Sequence, residues 1–93
     1  MKSAVSQPVA RAFGASLRLL RQGRELSQEA LAEVAGLDPT TPSLYERGKR
    51  QPTLAAVLML AKALGIDPAL LVRMTLARLQ RDDTPGSIWR STS

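Results

Sequence analysis

The sequence predicts one all-α domain of five helices, compact and built around a single core. Apolar residues recur at helical spacing in five separate runs. Each run opens on a capping residue or a proline, and glycine or a polar turn closes it. No alternating strand pattern and no internal repeat interrupts this order.

The first run follows Pro8 and carries Phe13, Leu17 and Leu20 at i, i+4 and i+7. It closes at Gly23 before Arg24-Glu25, which predicts a helix over 9–22. Ser27 is a natural N-cap, and Glu29 falls in the first turn, where the helix dipole favours negative charge. Leu31, Val34 and Ala35 form the apolar face, and Gly36 can take the left-handed closing conformation, giving a short helix over 28–35. Asp38-Pro39 repeats the start signal, and the third run reaches Arg47 before Gly48. Pro42 leaves two readings of this helix. A start at Pro39 makes Pro42 remove a backbone hydrogen bond, whereas a start at Thr41 makes it an acceptable first-turn residue in a helix of little more than one turn.

Thr53 caps the fourth run, in which Leu54, Val57, Leu58, Ala61 and Leu64 follow the helical period. Ala55, Ala56, Met59, Leu60 and Ala63 are apolar as well, and Lys62 is the only charge before Gly65. A helix apolar nearly all round is normally buried, so this one is expected at the centre. Asp67-Pro68 opens the fifth helix, expected to end near Arg81, with Leu70, Leu71, Met74 and Ala77 on one face and Val72, Leu76 and Leu79 on another. The expected division is a flexible arm over 1–8, the domain over 9–81, and a turn-rich tail over 82–93 that contains Trp89.

Composition narrows the chemistry. The chain has no Cys and no His, which excludes Cys/His metal sites, thiol nucleophiles, disulfides and imidazole bases. The eight carboxylates and scattered hydroxyls are accounted for as caps, pairs or surface, and no glycine-rich phosphate loop occurs. The expectation is therefore no enzyme, no cofactor, no metal and no small-molecule ligand. No apolar run approaches about 20 residues, so no membrane partner is expected and the cytoplasm is the expected compartment. Thirteen Lys and Arg give a net charge of +5. The isoelectric point near 10.8 is typical of a nucleic-acid binder.

Two short helices joined by about three residues, the second ending in a basic turn, have the dimensions of a helix-turn-helix. Residues Leu26-Ser27-Gln28-Glu29-Ala30-Leu31-Ala32-Glu33-Val34-Ala35-Gly36-Leu37 resemble the opening of that motif in the lambda-repressor/Cro-like family of small bacterial and phage transcriptional regulators. Glu46-Arg47-Gly48-Lys49-Arg50-Gln51-Pro52-Thr53-Leu54 is similar to the family's basic turn, and Leu60-Ala61-Lys62-Ala63-Leu64-Gly65-Ile66 to the helix that follows. The likeness runs from Phe13 to Val72, with three motifs in order.

The resemblance implies a division of labour. Gln28, Arg47, Lys49 and Arg50 would contact DNA phosphates, while Arg21 and Glu46 would form a structural pair tying helix 1 to the end of helix 3. Ala32 would be the small residue where helices 2 and 3 approach. The base-facing positions correspond to Pro39, Thr40, Ser43 and Leu44, an unusual set because relatives usually place Gln, Arg, Asn or Ser at several of them. Pro42 stands where relatives usually carry Val or Ile.

The leading expectation is a homodimeric, sequence-specific regulator on an inverted-repeat operator in double-stranded DNA, with Leu71, Met74 and Leu79 as dimer contacts. The alternative is a protein-interaction module on the same fold, suggested by weak readout chemistry, Pro42, Leu44 and the off-face Leu19.

Overall fold

The computed structural model describes residues 6–81 of the chain. Five helices follow in order: α1 (Ser6–Gly23), α2 (Gln28–Ala35), α3 (Thr41–Glu46), α4 (Leu54–Leu64) and α5 (Pro68–Arg81). No strand occurs among the described residues. The helix α1 starts three residues earlier than the spacing predicts. Pro8 lies in its first turn, where the missing N–H would have had no partner, so residues 6–8 are helix rather than arm. Residues 1–5, the tail over 82–93 and Trp89 lie outside the described residues.

Punctuation visible in the sequence is realised atom by atom. Ser27 Oγ accepts the Ala30 N–H at 3.0 Å and Thr53 Oγ1 accepts the Ala56 N–H at 3.0 Å. Each bond satisfies a donor that the first helical turn would otherwise leave unpaired. Gly36 closes α2 at a φ of 73°, with its N–H turned toward the Ala32 and Glu33 carbonyls. Before α5, Asp67 Oδ1 accepts the Ala69 N–H at 2.8 Å.

The core takes Phe13 and Leu17 from α1, Leu31 and Ala35 from α2, Tyr45 from α3, Leu60 and Leu64 from α4, and Leu71 from α5. Phe13 meets Tyr45 edge-on, ring centroids 5.8 Å apart, the favourable arrangement for two aromatic quadrupoles.

Two burial expectations are corrected. The helix α4 buries Ala56, Val57, Leu60, Ala61 and Leu64, but Leu54 is 74% exposed and Leu58 48%. It is a flank of the core with one apolar side uncovered. In α5 the inward stripe is Leu71, Thr75 and Leu79, so two of the three expected dimer contacts are buried within the chain and Met74 is half-buried. Thr75 disguised this stripe. Its hydroxyl donates to the Leu71 carbonyl at 2.9 Å, so a residue that reads as polar packs inward without an orphaned group. Ser16, buried in α1, does the same to the Ala12 carbonyl. The outward apolar residues of α5 are Val72 and Leu76.

Candidate nucleic-acid interface

The helix α3 is placed by its two ends. At the start, Asp38 folds a tight turn around Pro39. Its Oδ1 accepts the Thr40 hydroxyl at 2.6 Å and the Thr40 N–H at 2.9 Å, and its carbonyl accepts the Thr41 N–H at 2.9 Å. These bonds from Thr40 hold the Asp38 carboxyl below its ordinary pKa, with the charge of Arg50 adding to the same direction. The helix therefore starts at Thr41, and Pro39 stays outside it, exposed. Pro42 falls in the first turn, where it breaks nothing, and its ring is among the most deeply buried side chains. A rigid first-turn residue thus fills an apolar core position.

The far end is held by buried charge. Glu46 receives Arg21 in a two-pronged bond, Nε to Oε2 at 2.6 Å and Nη2 to Oε1 at 2.9 Å. The side chains of the pair are 12% and 3% exposed. Gln28 Nε2 also donates to Glu46 Oε1 at 3.1 Å, and Arg21 Nη1 donates to the Leu26 carbonyl at 2.7 Å. One carboxylate thus ties α1, the start of α2 and the end of α3 together. The hydrogen bond with Glu46 raises the Arg21 pKa above its usual value, against the opposing effect of burial. Arg21 and Glu46 are brought together as expected; Gln28 has its amide nitrogen turned inward to the pair.

Close approach of the helices depends on small residues. Ala32 is 1% exposed on the buried side of α2. Gly14 went unremarked in the sequence, yet a Cβ there would lie 2.0 Å from the Tyr45 carbonyl oxygen. The available signal was a glycine inside a long helical run with no turn around it.

Between these anchors lies an open polar surface. Arg47, Lys49 and Arg50 are exposed in the turn after α3, Thr40 is exposed, and Ser43 and Leu44 are half-exposed. Arg47 Nε donates to Ser43 Oγ at 3.2 Å, which aligns that guanidinium with the outer face of α3. Such a surface offers cations and short hydrogen-bonding groups suited to phosphate and base edges. Among the described residues no group of His, Cys, Asp and Glu could hold a metal ion, and no single helix is long and apolar enough to cross a membrane.

Comparison with known proteins agrees with this geometry. A family model described as a helix-turn-helix domain matches residues 12–74. Control protein C.SmaI of Serratia marcescens is 42% identical over 66 residues, covering 70% of this chain and 79% of that protein. The cryptic phage CTXphi transcriptional repressor RstR of Vibrio cholerae is 40% identical over 60 residues, 64% of this chain and about half (54%) of the repressor. The crystal structure of the restriction-modification controller protein C.AhdI from Aeromonas hydrophila superposes with a TM-score of 0.65 at 45% identity, covering 67% of this chain and 94% of that one.

Proposed function

Since this chain belongs to the helix-turn-helix domain family of DNA-binding transcriptional regulators, we propose that it acts as a homodimer on an inverted-repeat operator. The observation that carries the dimer is the uncovered apolar face of α4 and α5. Leu54 and Leu58 lie one helical step apart, as do Val72 and Leu76, and all four are at least 38% exposed. Leu54 and Val72 line one groove with Pro52 and Val57. An apolar patch of this kind marks an association surface, and a second copy would cover it. The dimer contacts are therefore assigned to Leu54, Leu58, Val72 and Leu76; Met74, two residues from both Val72 and Leu76, falls on the opposite flank of α5 and is not among them.

On DNA, α3 enters the major groove. Thr40, Ser43 and Leu44 face base edges beside Pro39, while Arg47, Lys49 and Arg50 neutralise phosphates. Gln28 stands at the first residue of α2, where unpaired N–H groups favour a phosphate, and its side chain serves the Glu46 clasp. Readout by a threonine, a serine and a leucine is sparse, so two half-sites are needed to reach an operator-level specificity.

The test is selection from a random duplex library at physiological salt, with light scattering of the same protein. An enriched inverted repeat with half-sites about one helical turn apart and a dimeric mass support the proposal. Leu58→Glu should then give a monomer that binds a single half-site weakly. A monomeric mass for the unmodified protein at tens of micromolar, or enrichment of no repeat, overturns it.

A further inference from the structure

The cationic surface continues beyond the turn after α3. Gly48 takes a φ of +68°, and a Cβ on it would lie 2.9 Å from Arg11 Cγ and 3.4 Å from Arg11 Cα. Glycine is required at this position twice over, for the left-handed backbone and for the room that the Arg11 stem occupies. The N-terminal half of α1 therefore rests directly on the basic turn. Arg11 lays its aliphatic stem across Gly48, the residue between Arg47 and Lys49 in the chain, and is itself exposed. Among the described residues the one ion pair is Arg21–Glu46, so no carboxylate there neutralises Arg11. Arg11 also lines a groove between α1 and α5 together with Arg78, which places positive charge on both of its sides.

We propose that Arg11 is a further phosphate-binding residue, extending the DNA backbone contact from the turn after α3 onto α1. This rests on the DNA-binding reading above. Arg11 adds affinity without sequence preference, because a guanidinium on a phosphate releases a counterion whatever the base.

Arg24 supplies a charge-matched control. It lies at the other end of α1, where a Cβ on Gly65 would come within 3.7 Å of Arg24 Nη2. Gly65 closes α4, about 16 Å from the start of that 11-residue helix, the end that follows the basic turn.

The experiment measures the dissociation constant of the full chain for a duplex of fixed sequence across a salt series. The proteins are the unmodified chain, Arg11→Gln, Arg11→Lys, Arg24→Gln and Lys49→Ala. Arg11→Gln keeps the stem over Gly48, and its thermal midpoint should match the unmodified chain. It should reduce the salt slope by about 1 unit and weaken low-salt binding about threefold. Arg11→Lys should restore both, and Arg24→Gln should change neither. An unchanged slope in Arg11→Gln, while Lys49→Ala lowers it, overturns this assignment and leaves the DNA reading intact. Equal losses in Arg11→Gln and Arg24→Gln show a general effect of net charge and also overturn it. If Lys49→Ala leaves the slope unchanged too, the reading of the basic turn fails, and the Arg11 assignment with it.

Discussion

The two ends of α3 are built from opposite materials. The Glu46 end is interior: its carboxylate is 3% exposed and receives Arg21 and Gln28 from two other helices, with Gly14 pressed against the preceding carbonyl. The Asp38 end is exterior: one exposed carboxylate and one exposed hydroxyl shape the turn that feeds the helix. A helix of six residues cannot hold itself in water. Its position is therefore fixed from behind, by the core, and its solvent end is left free to match a ligand. Stability is concentrated at the Glu46 end, and base readout begins at the Asp38 end.

Breaking the interior end should have the largest effect. Glu46→Ala leaves Arg21 without its partner in a site that is 12% exposed, and an uncompensated buried charge costs about 3–5 kcal/mol. Urea denaturation should register that loss. A change below about 1 kcal/mol, the range of surface pairs, would show that the clasp is solvated in solution. The next effect is steric. Gly14→Ala gains helix propensity of about 1 kcal/mol, but its methyl would sit 2.0 Å from the Tyr45 carbonyl oxygen. The helices must separate, at about 1–3 kcal/mol, and net destabilisation is expected. A stabilised Gly14→Ala variant would mean that α1 and α3 are further apart than described.

How much of this was legible in the sequence follows the same division. Caps are local chemistry, so Ser27, Thr53, Asp67 and the closing glycines could be read from adjacent residues, and α2 was bounded at its observed limits. The Arg21–Glu46 pair spans 25 positions, and no spacing rule reaches that far. It was available through family resemblance alone. The facing of α5 was lost because Thr75 and its intrahelical bond made an inward stripe look broken. The exposure of α4 was lost because an all-apolar helix looks the same whether its own chain or a second copy covers it. Gly14 was visible but mute, since a Cβ clash exists only once two helices have been crossed.

Pro42 tests the comparison from the first turn of α3, with a smaller effect. It joins both ends, as a first-turn residue set up by the Asp38 turn and as a ring buried in the core. Pro42→Val keeps an apolar side chain there and removes only the preset backbone angle. The expected loss is about 0.4–1 kcal/mol, acting through the greater freedom of the unfolded chain. Were Pro42→Val to stabilise the protein, proline would be a strained residue here, and the short α3 would be its consequence.

The smallest effect belongs to Asp38, and its pH dependence has a definite sign. Hydrogen bonds from Thr40 lower the folded-state pKa of this carboxyl. The contribution of Asp38 is therefore present above its unfolded pKa, about 3.9, and is lost as the pH falls through the folded value. At neutral pH, Asp38→Ala should leave the denaturation midpoint nearly unchanged, because the bonds it removes are exposed to water. It should instead loosen Thr40 and blur base preference at the start of α3, read as a flatter sequence profile in duplex selection. In the unmodified chain the Thr40 amide resonance should report the carboxyl titrating below the ordinary aspartate range. A titration in the ordinary aspartate range would instead mean that the Thr40 bonds do not hold this carboxylate in solution, and that the outer end of α3 is shaped by the core alone.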